Sequence, residues 1–254
     1  MSFQELMETR SLEAKLIEKL ATEENCVPNT AQFFKEYELR NNLWGQARLN
    51  NENGLLCTFR SENGVGWKWR IPENVKGVIG YPSLQFGPGP WRNAKDKSHG
   101  FPVKIKEIEN FEVQYETEIY VQHQKYNLAF DVWLSTAFSS NENTVTTEIM
   151  VWEDYFDFNS YGKKVDEIIT PFGVYELRSG YLKNDEYNQD WQYFGFIRKE
   201  KRIQGRVDLL YLLEYLVENQ GVNPQEYVTS VEFGNEIGNS SGFTLIKKIN
   251  LILD

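Results

Sequence analysis

The stretch Thr146-Thr147-Glu148-Ile149-Met150-Val151-Trp152 decides the fold that we expect for this chain. Val, Ile, Thr and Trp favour a pleated, half-buried backbone, so the stretch is predicted to be a β-strand. Because side chains alternate between the two faces of a strand, one face is mostly aliphatic and suits a core. The other face places the Glu148 carboxylate between Met150 and Trp152. Glu residues on strands most often point to solvent, but an acid flanked by a thioether and an indole indicates a groove that binds something flat.

The rest of the chain repeats this pattern. Turn signals separate roughly a dozen short strand candidates, which is typical of an all-β sandwich or barrel. Residues 32–42 are predicted to be extended, 111–122 and 126–138 to form a hairpin, and 173–182 and 191–198 to pair around a polar turn. Residues 153–170 are polar and acidic, which favours a long connection.

Two helices are expected beside these strands. Residues 207–218 carry a leucine stripe and are followed by Gly221, which can end a helix, so this helix is predicted to pack on the outside of the sandwich. Residues 11–22 carry a shorter apolar stripe. We therefore expect an N-terminal helical extension over residues 1–25 and one domain over residues 26–254.

Composition excludes several classes of partner. The 254 residues carry a net charge of −10, which disfavours binding to nucleic acid or to a polyanion. No apolar run is long enough for a transmembrane helix, so no membrane partner is expected. Two Cys and two His without ligand spacing predict no metal site. Cys26 and Cys57 suit one disulfide and two free thiols equally.

Three acids are candidates for shared chemistry. Cleavage of a glycosidic bond requires two carboxyl groups, one to protonate the leaving oxygen and one to attack the anomeric carbon or to activate water. Glu148 and Glu236 come from separate strand regions, and the charge of one raises the proton affinity of the other. Asp131 is a natural third member if its strand lies beside that of Glu148. Because the chain has many Glu residues, this argument alone is weak.

Five segments together resemble glycoside hydrolase family 12. They occur in the family's order, and they extend over roughly nine tenths of the chain when counted from Cys26. The segments with an Asn-Asn-x-Trp-Gly or a Glu-x-Met-x-Trp pattern are the specific ones. The five are Asn41-Asn42-Leu43-Trp44-Gly45, Tyr81-Pro82, Ala129-Phe130-Asp131-Val132-Trp133, Glu148-Ile149-Met150-Val151-Trp152 and Glu232-Phe233-Gly234-Asn235-Glu236.

The resemblance implies a fold and an activity. The fold is a concanavalin A-like β-jelly-roll sandwich of two curved antiparallel sheets. The activity is that of a retaining endo-β-1,4-glucanase (cellulase) or xyloglucanase, with a neutral β-glucan as substrate and no cofactor. Glu148 is implied as the nucleophile, Glu236 as the general acid/base and Asp131 as the acid beside the nucleophile. Asn42, Trp44, Met150 and Trp152 are implied to bind substrate.

Some expectations stay open at this stage. A non-catalytic carbohydrate-binding jelly roll is the alternative function. The resemblance favours a Cys26–Cys57 disulfide, as in many secreted members. No secretion signal is visible, however, so a cytoplasmic location is expected with secretion as the alternative. The protein is expected to be a monomer. Residues 153–170 show no clear match to the family's cleft-crossing loop, which leaves the preferred glucan undecided.

Overall fold

Two β-sheets packed face to face position every candidate residue. The computed structural model describes residues 21–49, 54–90, 99–122, 125–138, 144–184 and 189–254. The strands are β1 (Ala21–Asn25), β2 (Thr30–Phe33), β3 (Glu38–Asn41), β4 (Leu55–Ser61), β5 (Gly64–Arg70), β6 (Ser83–Phe86), β7 (Val103–Lys104), β8 (Phe111–Gln122), β9 (Tyr126–Ser135), β10 (Val145–Phe156), β11 (Lys163–Thr170), β12 (Gly173–Asn184), β13 (Gln189–Arg198), β14 (Gln204–Asp208), β15 (Tyr227–Gly234) and β16 (Ser241–Leu253).

The strand order differs between the two sheets. One sheet has the order β1-β4-β5-β16-β8-β14. The larger sheet has the order β11-β12-β13-β10-β9-β15-β6-β3-β2, with β7 paired to β15. Neighbours in the larger sheet are antiparallel except β10 and β13, which run parallel. The expected jelly-roll sandwich is confirmed, with one parallel pair in place of a fully antiparallel sheet.

The alternation in the opening stretch sorts side chains as predicted. Ile149 and Val151 are almost fully buried and point into the space between the sheets. They meet apolar residues of the neighbouring β9, such as Phe130 and Val132. The opposite face of β10 is therefore free to carry Glu148.

The main helix, α1 (Leu209–Gln220), confirms the predicted helix with a shift of two residues. The Asp208 carboxylate caps its start by accepting a hydrogen bond from the Tyr211 N–H at 2.9 Å. Gly221 ends the helix in the left-handed region, with φ of 75°. Four of its leucines join the core and leave a polar side outside: Leu209, Leu212, Leu213 and Leu216.

Three local predictions are wrong. Residues 111–122 and 126–138 do not form a hairpin, because β8 and β9 belong to different sheets. Residues 153–170 are mostly strand, since β10 continues to Phe156 and β11 begins at Lys163. Residues 32–42 are extended only near their two ends, in β2 and β3, and a bend at residues 35 and 36 lets these two strands pair with each other.

The N-terminal prediction falls mostly outside the described residues. Residues 21 and 22, at the end of the predicted helix, are extended in β1 because Ala21–Asn25 pairs with β4. The described part of the predicted extension therefore belongs to the sandwich. Nearby, Cys26 and Cys57 form a disulfide that closes a separation of 31 residues. Within the described ranges, no helix has the length and apolar character needed to span a membrane.

Candidate active site

One face of the larger sheet collects acidic side chains from three neighbouring strands. This face points away from the core and is called the cleft face below. Asp131 on β9 lies opposite Met150 on β10 and opposite Glu232 on β15. Residues that are directly opposite share a face, so Glu148, two residues before Met150, is a diagonal neighbour of Asp131. The structure thus brings Glu148 and Asp131 together as predicted and adds Glu232.

Glu148 is partly buried and accepts a hydrogen bond from an indole. The Trp191 Nε1–H donates to Glu148 Oε2 at 2.7 Å, and the Trp191 ring packs edge-on against Trp133 at 5.7 Å. Burial raises the pKa of Glu148 to about 7; the Trp191 hydrogen bond opposes this rise, whereas the Glu232 charge adds to it. The carboxyl group is therefore ionised in neutral to mildly alkaline solution, as a nucleophile must be.

Glu236 follows β15 and is held at two points by one amide. The Asn127 Oδ1 accepts from the Glu236 backbone N–H at 2.7 Å, and the Asn127 Nδ2 donates to Glu236 Oε2. Burial raises the pKa of Glu236 to about 8; the charge of Glu148 adds to the rise, and the Asn127 hydrogen bond opposes it. Glu148 and Glu236 are thus close enough for their charges to interact, which the sequence could only suggest.

The loop that carries Glu236 is anchored across the sandwich. The neighbouring Asn235 donates from Nδ2 to the Asn127 carbonyl oxygen at 2.5 Å. Its Oδ1 accepts from Trp67 Nε1 at 2.8 Å and from Thr244 Oγ1 at 2.7 Å, and both of these donors lie on the smaller sheet. A buried, fully hydrogen-bonded amide of this kind fixes the backbone beside it. The position of Glu236 is therefore set by both sheets.

Asp131 is buried among the other acids. Its Oδ2 accepts from Trp133 Nε1 at 3.0 Å, while its Oδ1 is buried without a hydrogen-bond partner among the described residues. Burial raises the pKa of Asp131 well above its usual range, with the charges of Glu148, Glu232 and Glu236 adding to the rise. This setting favours the protonated form of the carboxyl group, which can donate a hydrogen bond.

Together the three predicted acids form an ordered acid and base set. Glu148 has the lower pKa and Glu236 the higher one, so one can be ionised while the other is protonated. Such a pair can cleave an acetal. The model of glycosyl hydrolase family 12 matches residues 35–250, more than four fifths of the chain.

The chain belongs to glycosyl hydrolase family 12.

Relatives in this family carry glucanase names. Endoglucanase S of Pectobacterium parmentieri is 24% identical over 209 residues, covering 82% of this chain and 78% of the relative. The xyloglucan-specific endo-β-1,4-glucanase A of Emericella nidulans is 24% identical over 211 residues, covering 81% and 80%. Among solved structures, the native family 12 xyloglucanase from Bacillus licheniformis aligns with a TM-score of 0.83 at 24% identity, covering 91% of this chain and all of that one. The structural match supports the fold.

Two residues predicted from the family 12 resemblance lie in a segment that packs against residues 79–81, which in turn contact Ile237. The Asn42 carbonyl oxygen accepts from the Tyr81 N–H at 2.8 Å, and Gly80, beside Tyr81, bridges to Ile237. Trp44 follows two residues later and is 49% exposed, with the Arg48 guanidinium 5.3 Å from its ring centroid. An indole face this open is available for stacking, and its role in binding stays a prediction.

Met150 and Trp152 share the cleft face but are covered. They are 4% and 1% exposed, and Trp152 packs against Tyr155 and Phe158. They therefore support the floor of the family 12 site from below and offer little surface of their own. Their assignment to substrate binding stays a prediction.

The sequence reasoning missed five side chains that shape the site. Asn127 shares a face with Asp131 by the alternation along β9, but nothing local indicates that it holds Glu236, 109 residues away. Trp191 contacts Glu148 only because β13 returns beside β10. Buried ring hydroxyls and one further acid complete the set: Tyr81, Tyr193 and Glu232.

Residues 157–162, which connect β10 to β11, form a crossing loop that packs over Tyr193 on the cleft face. The Arg178 guanidinium fixes this crossing loop by donating to the carbonyl oxygens of Ser160 at 3.0 Å and Gly162 at 3.2 Å. The loop lies flat because Gly195 has no side chain, since a Cβ there would sit 2.6 Å from Ser160 Oγ. Tyr161 is half exposed on this loop and packs edge-on against Tyr193.

One group of potential metal ligands occurs in the described ranges. Its members, Glu24, Cys26 and Cys57, have ligand atoms within 4.8 Å of one another. Both sulfur atoms are consumed by the disulfide, and a metal requires thiolates, so these residues do not fit an ion. The prediction of no metal and no cofactor stays a prediction.

Proposed function

We propose that this chain is an endo-acting hydrolase of β-1,4-glucosidic bonds in glucans and that it works with net retention. Membership of family 12 supports the hydrolase class. The mechanism rests on the two carboxyl groups of one site, with Glu148 accepting from Trp191 and Glu236 held by Asn127. Burial raises the pKa of Glu148 to about 7 and that of Glu236 to about 8. The reactive form, with Glu148 ionised and Glu236 protonated, is most populated between these two values.

The first step forms a covalent intermediate. Glu236 gives its proton to the glycosidic oxygen while the bond between that oxygen and the anomeric carbon breaks. A Glu148 oxygen forms a bond to the same carbon, so the sugar becomes an ester on the enzyme. The Trp191 N–H stabilises the Glu148 carboxylate before attack. Asn127 keeps the Glu236 carboxyl group in one orientation.

The second step releases the sugar. Glu236, now ionised, removes a proton from water, and the water oxygen attacks the anomeric carbon. The bond to Glu148 breaks, which returns Glu148 as a carboxylate and Glu236 as an acid. Two inversions give net retention, and no cofactor takes part.

Two variants separate the roles of the acids. Glu148→Gln and Glu236→Gln should each reduce the release of reducing ends from barley β-glucan by about 10³-fold or more. A dinitrophenyl β-cellobioside has a leaving group that needs no proton. With this substrate, Glu236→Gln should still form the ester, seen as a cellobiosyl mass added to the intact protein, whereas Glu148→Gln should not.

A matched control is Glu226, which directly precedes β15. Glu226 is a partly buried carboxylate that accepts from Thr146 Oγ1 at 2.7 Å, at the start of β10. Glu226→Gln should retain wild-type turnover. Full activity in Glu148→Gln or Glu236→Gln would remove the role of that residue. Wild-type protein that binds β-glucan without cleaving it would support the carbohydrate-binding alternative.

Two half-exposed aromatic rings bear on which glucan is bound. The half-exposed Trp44 and Tyr161 rings suit the apolar faces of glucosyl units in plain, mixed-linkage or xylosylated chains. Turnover on carboxymethylcellulose, barley β-glucan and xyloglucan ranks these substrates.

Location and assembly remain separate proposals. The Cys26–Cys57 disulfide favours an oxidising compartment, so we propose secretion over the cytoplasmic location expected from the sequence. Labelling of free thiols in unfolded protein from each cell fraction tests this, since two labelled cysteines would refute it. The expected monomer is tested by light scattering.

A further inference from the structure

A fourth acid on the cleft face has no part in the mechanism above. Glu232 lies on β15, with Asp131 directly opposite on β9 and Gln85 opposite on β6. It is 6% exposed, and its Oε2 accepts from Ser83 Oγ at 2.8 Å. Burying a carboxyl group costs free energy unless it is hydrogen-bonded, and this one lies directly beside the acids of the site.

The register places three acids on three adjacent strands. Directly opposite residues have Cβ atoms about 5 Å apart, which is the relation of Glu232 to Asp131. Asp131 is in turn the diagonal neighbour of Glu148. Three carboxyl groups at this spacing cannot all be ionised, because each charge disfavours the next. Asp131 lies in the middle and meets a charge on either side.

We propose that Glu232 is a positioning residue for the reaction, whose negative charge keeps one proton within the Asp131–Glu148 pair, so that the nucleophile faces a neutral, hydrogen-bond-donating Asp131. This inference rests on the proposed function and deepens it. The pair then carries one negative charge, on Glu148. Without Glu232, the pair loses its protons at lower pH.

Two features of Asp131 support the placement of the shared proton on this residue. Its Oδ1 is buried and has no donor among the described residues, which suits a protonated oxygen better than an ionised one. After burial and Glu148, the Glu232 charge is the next cause that raises the pKa of Asp131. The same Glu232 charge also raises the pKa of Glu148.

The effect of Glu232 on the pair is assigned to its charge, because the side chains next to it on β6 carry none. Ser83 and Gln85 on the adjacent β6 are neutral. Tyr81 stays protonated, because burial and the four acids raise its pKa well above the usual range. Charged or titratable groups facing this region from the described elements are Asp131 on β9, Glu148 on β10, Tyr193 on β13, Glu236 after β15, Tyr81 before β6, and the Arg40–Glu38 ion pair on β3.

The test is the pH dependence of kcat/KM on barley β-glucan. Glu232→Gln keeps the size of the side chain and a partner for Ser83 but removes the charge. We expect an active enzyme whose acid limb moves to lower pH by about one unit, from a unit charge at roughly 10 Å and an effective dielectric constant near 20. Glu232→Asp keeps the charge and should keep the wild-type limb. A purely structural Glu232 would change stability but leave the limb in place.

A matched control removes an equal charge farther away. Glu38 lies on β3, two strands beyond Glu232, so Glu38→Gln should leave the acid limb within a few tenths of a unit at 0.15 M salt. An unshifted limb in Glu232→Gln, or an equal shift in Glu38→Gln, overturns the inference. In either case, activity of the wild type and its loss in Glu148→Gln still support the proposed function.

A second measurement begins with the wild type and an Asp131 variant, and this first comparison does not require a folded Glu232 variant. Infrared difference spectra of wild type against Asp131→Asn at pH 8 should show the C=O stretch of a protonated carboxylic acid that the variant lacks. In Glu232→Gln this band should weaken as Asp131 ionises. A wild-type spectrum without the band refutes a protonated Asp131 and with it the inference.

Discussion

Replacing Trp191 by Phe tests how the nucleophile is kept ionised. The substitution retains an aromatic ring against Trp133 but removes the N–H that donates to Glu148 Oε2 at 2.7 Å. That hydrogen bond favours the charged form of Glu148, so its loss should raise the pKa of Glu148 above about 7. The acid limb of kcat/KM reports this ionisation in the free enzyme.

The magnitude follows from the strength of such a bond. A hydrogen bond to a charged group contributes about 1.5–3 kcal/mol, which corresponds to a shift of about 1–2 pH units. A shift of about 1.5 units reduces the ionised fraction of Glu148 on the acid side by about 30-fold. Because the pKa of Glu236 is about 8, the shifted pKa of Glu148 would then exceed it, and the acid and alkaline limbs of the pH profile would cross. The fraction of enzyme in the reactive form would also fall about threefold at the pH optimum.

The assay is initial release of reducing ends from β-glucan at low substrate between pH 5 and pH 10. Trp152→Phe is the matched control, since Trp152 shares the cleft face but its Nε1 has no hydrogen-bond partner among the described residues. This control should keep the wild-type limb even if packing is weakened. An acid limb in Trp191→Phe that stays in place or moves to lower pH would refute the reasoning.

Two further predictions concern stability. Because the pKa of Glu236 in the folded state is raised from 4.5 to about 8, the folded state retains a proton that the unfolded chain loses, and wild-type stability falls as pH rises through this window. Glu236→Gln does not titrate, so its free energy of unfolding relative to the wild type should rise by about 2 kcal/mol from pH 5 to pH 8. The Tm difference between the two proteins reports this change, and an equal Tm difference at both pH values would contradict the assignment. Glu153 is fully buried and is bound by Arg202, Tyr115 and Tyr175, so Glu153→Gln should lower the free energy of unfolding in urea by about 3–5 kcal/mol. Glu118→Gln, which breaks an exposed pair with Lys247, should cost less than about 1 kcal/mol, and similar losses in both variants would show that Glu153 is not a buried anchor.

Local patterns predicted the elements that depend on neighbouring residues. The two-residue alternation in β10 placed Ile149 and Val151 in the core and Glu148 on the other face. The helix α1 was predicted because its leucine stripe and Gly221 act within a few turns. The resemblance to family 12 selected Glu148, Glu236 and Asp131 among many acids, a choice that composition could not make.

Pairing between distant strands could not be predicted in this way. The closeness of residues 111–122 and 126–138 in the sequence favours a hairpin, yet β8 and β9 lie in different sheets. Likewise, β13 pairs in parallel with β10 although β11 and β12 lie between them in the sequence. Neither choice is encoded in a short window of sequence.

The sequence by itself determined the all-β class, the faces of β10 and the identity of the principal acids. Only the tertiary structure decided which groups control those acids: the Trp191 indole on Glu148, the Asn127 amide on Glu236 and the Glu232 carboxylate beside Asp131. The physical reason is the distance along the chain over which each interaction acts. Side-chain alternation is fixed by the geometry of a single strand, whereas the neighbours of a strand are chosen by the free energy of burying two whole sheets against each other.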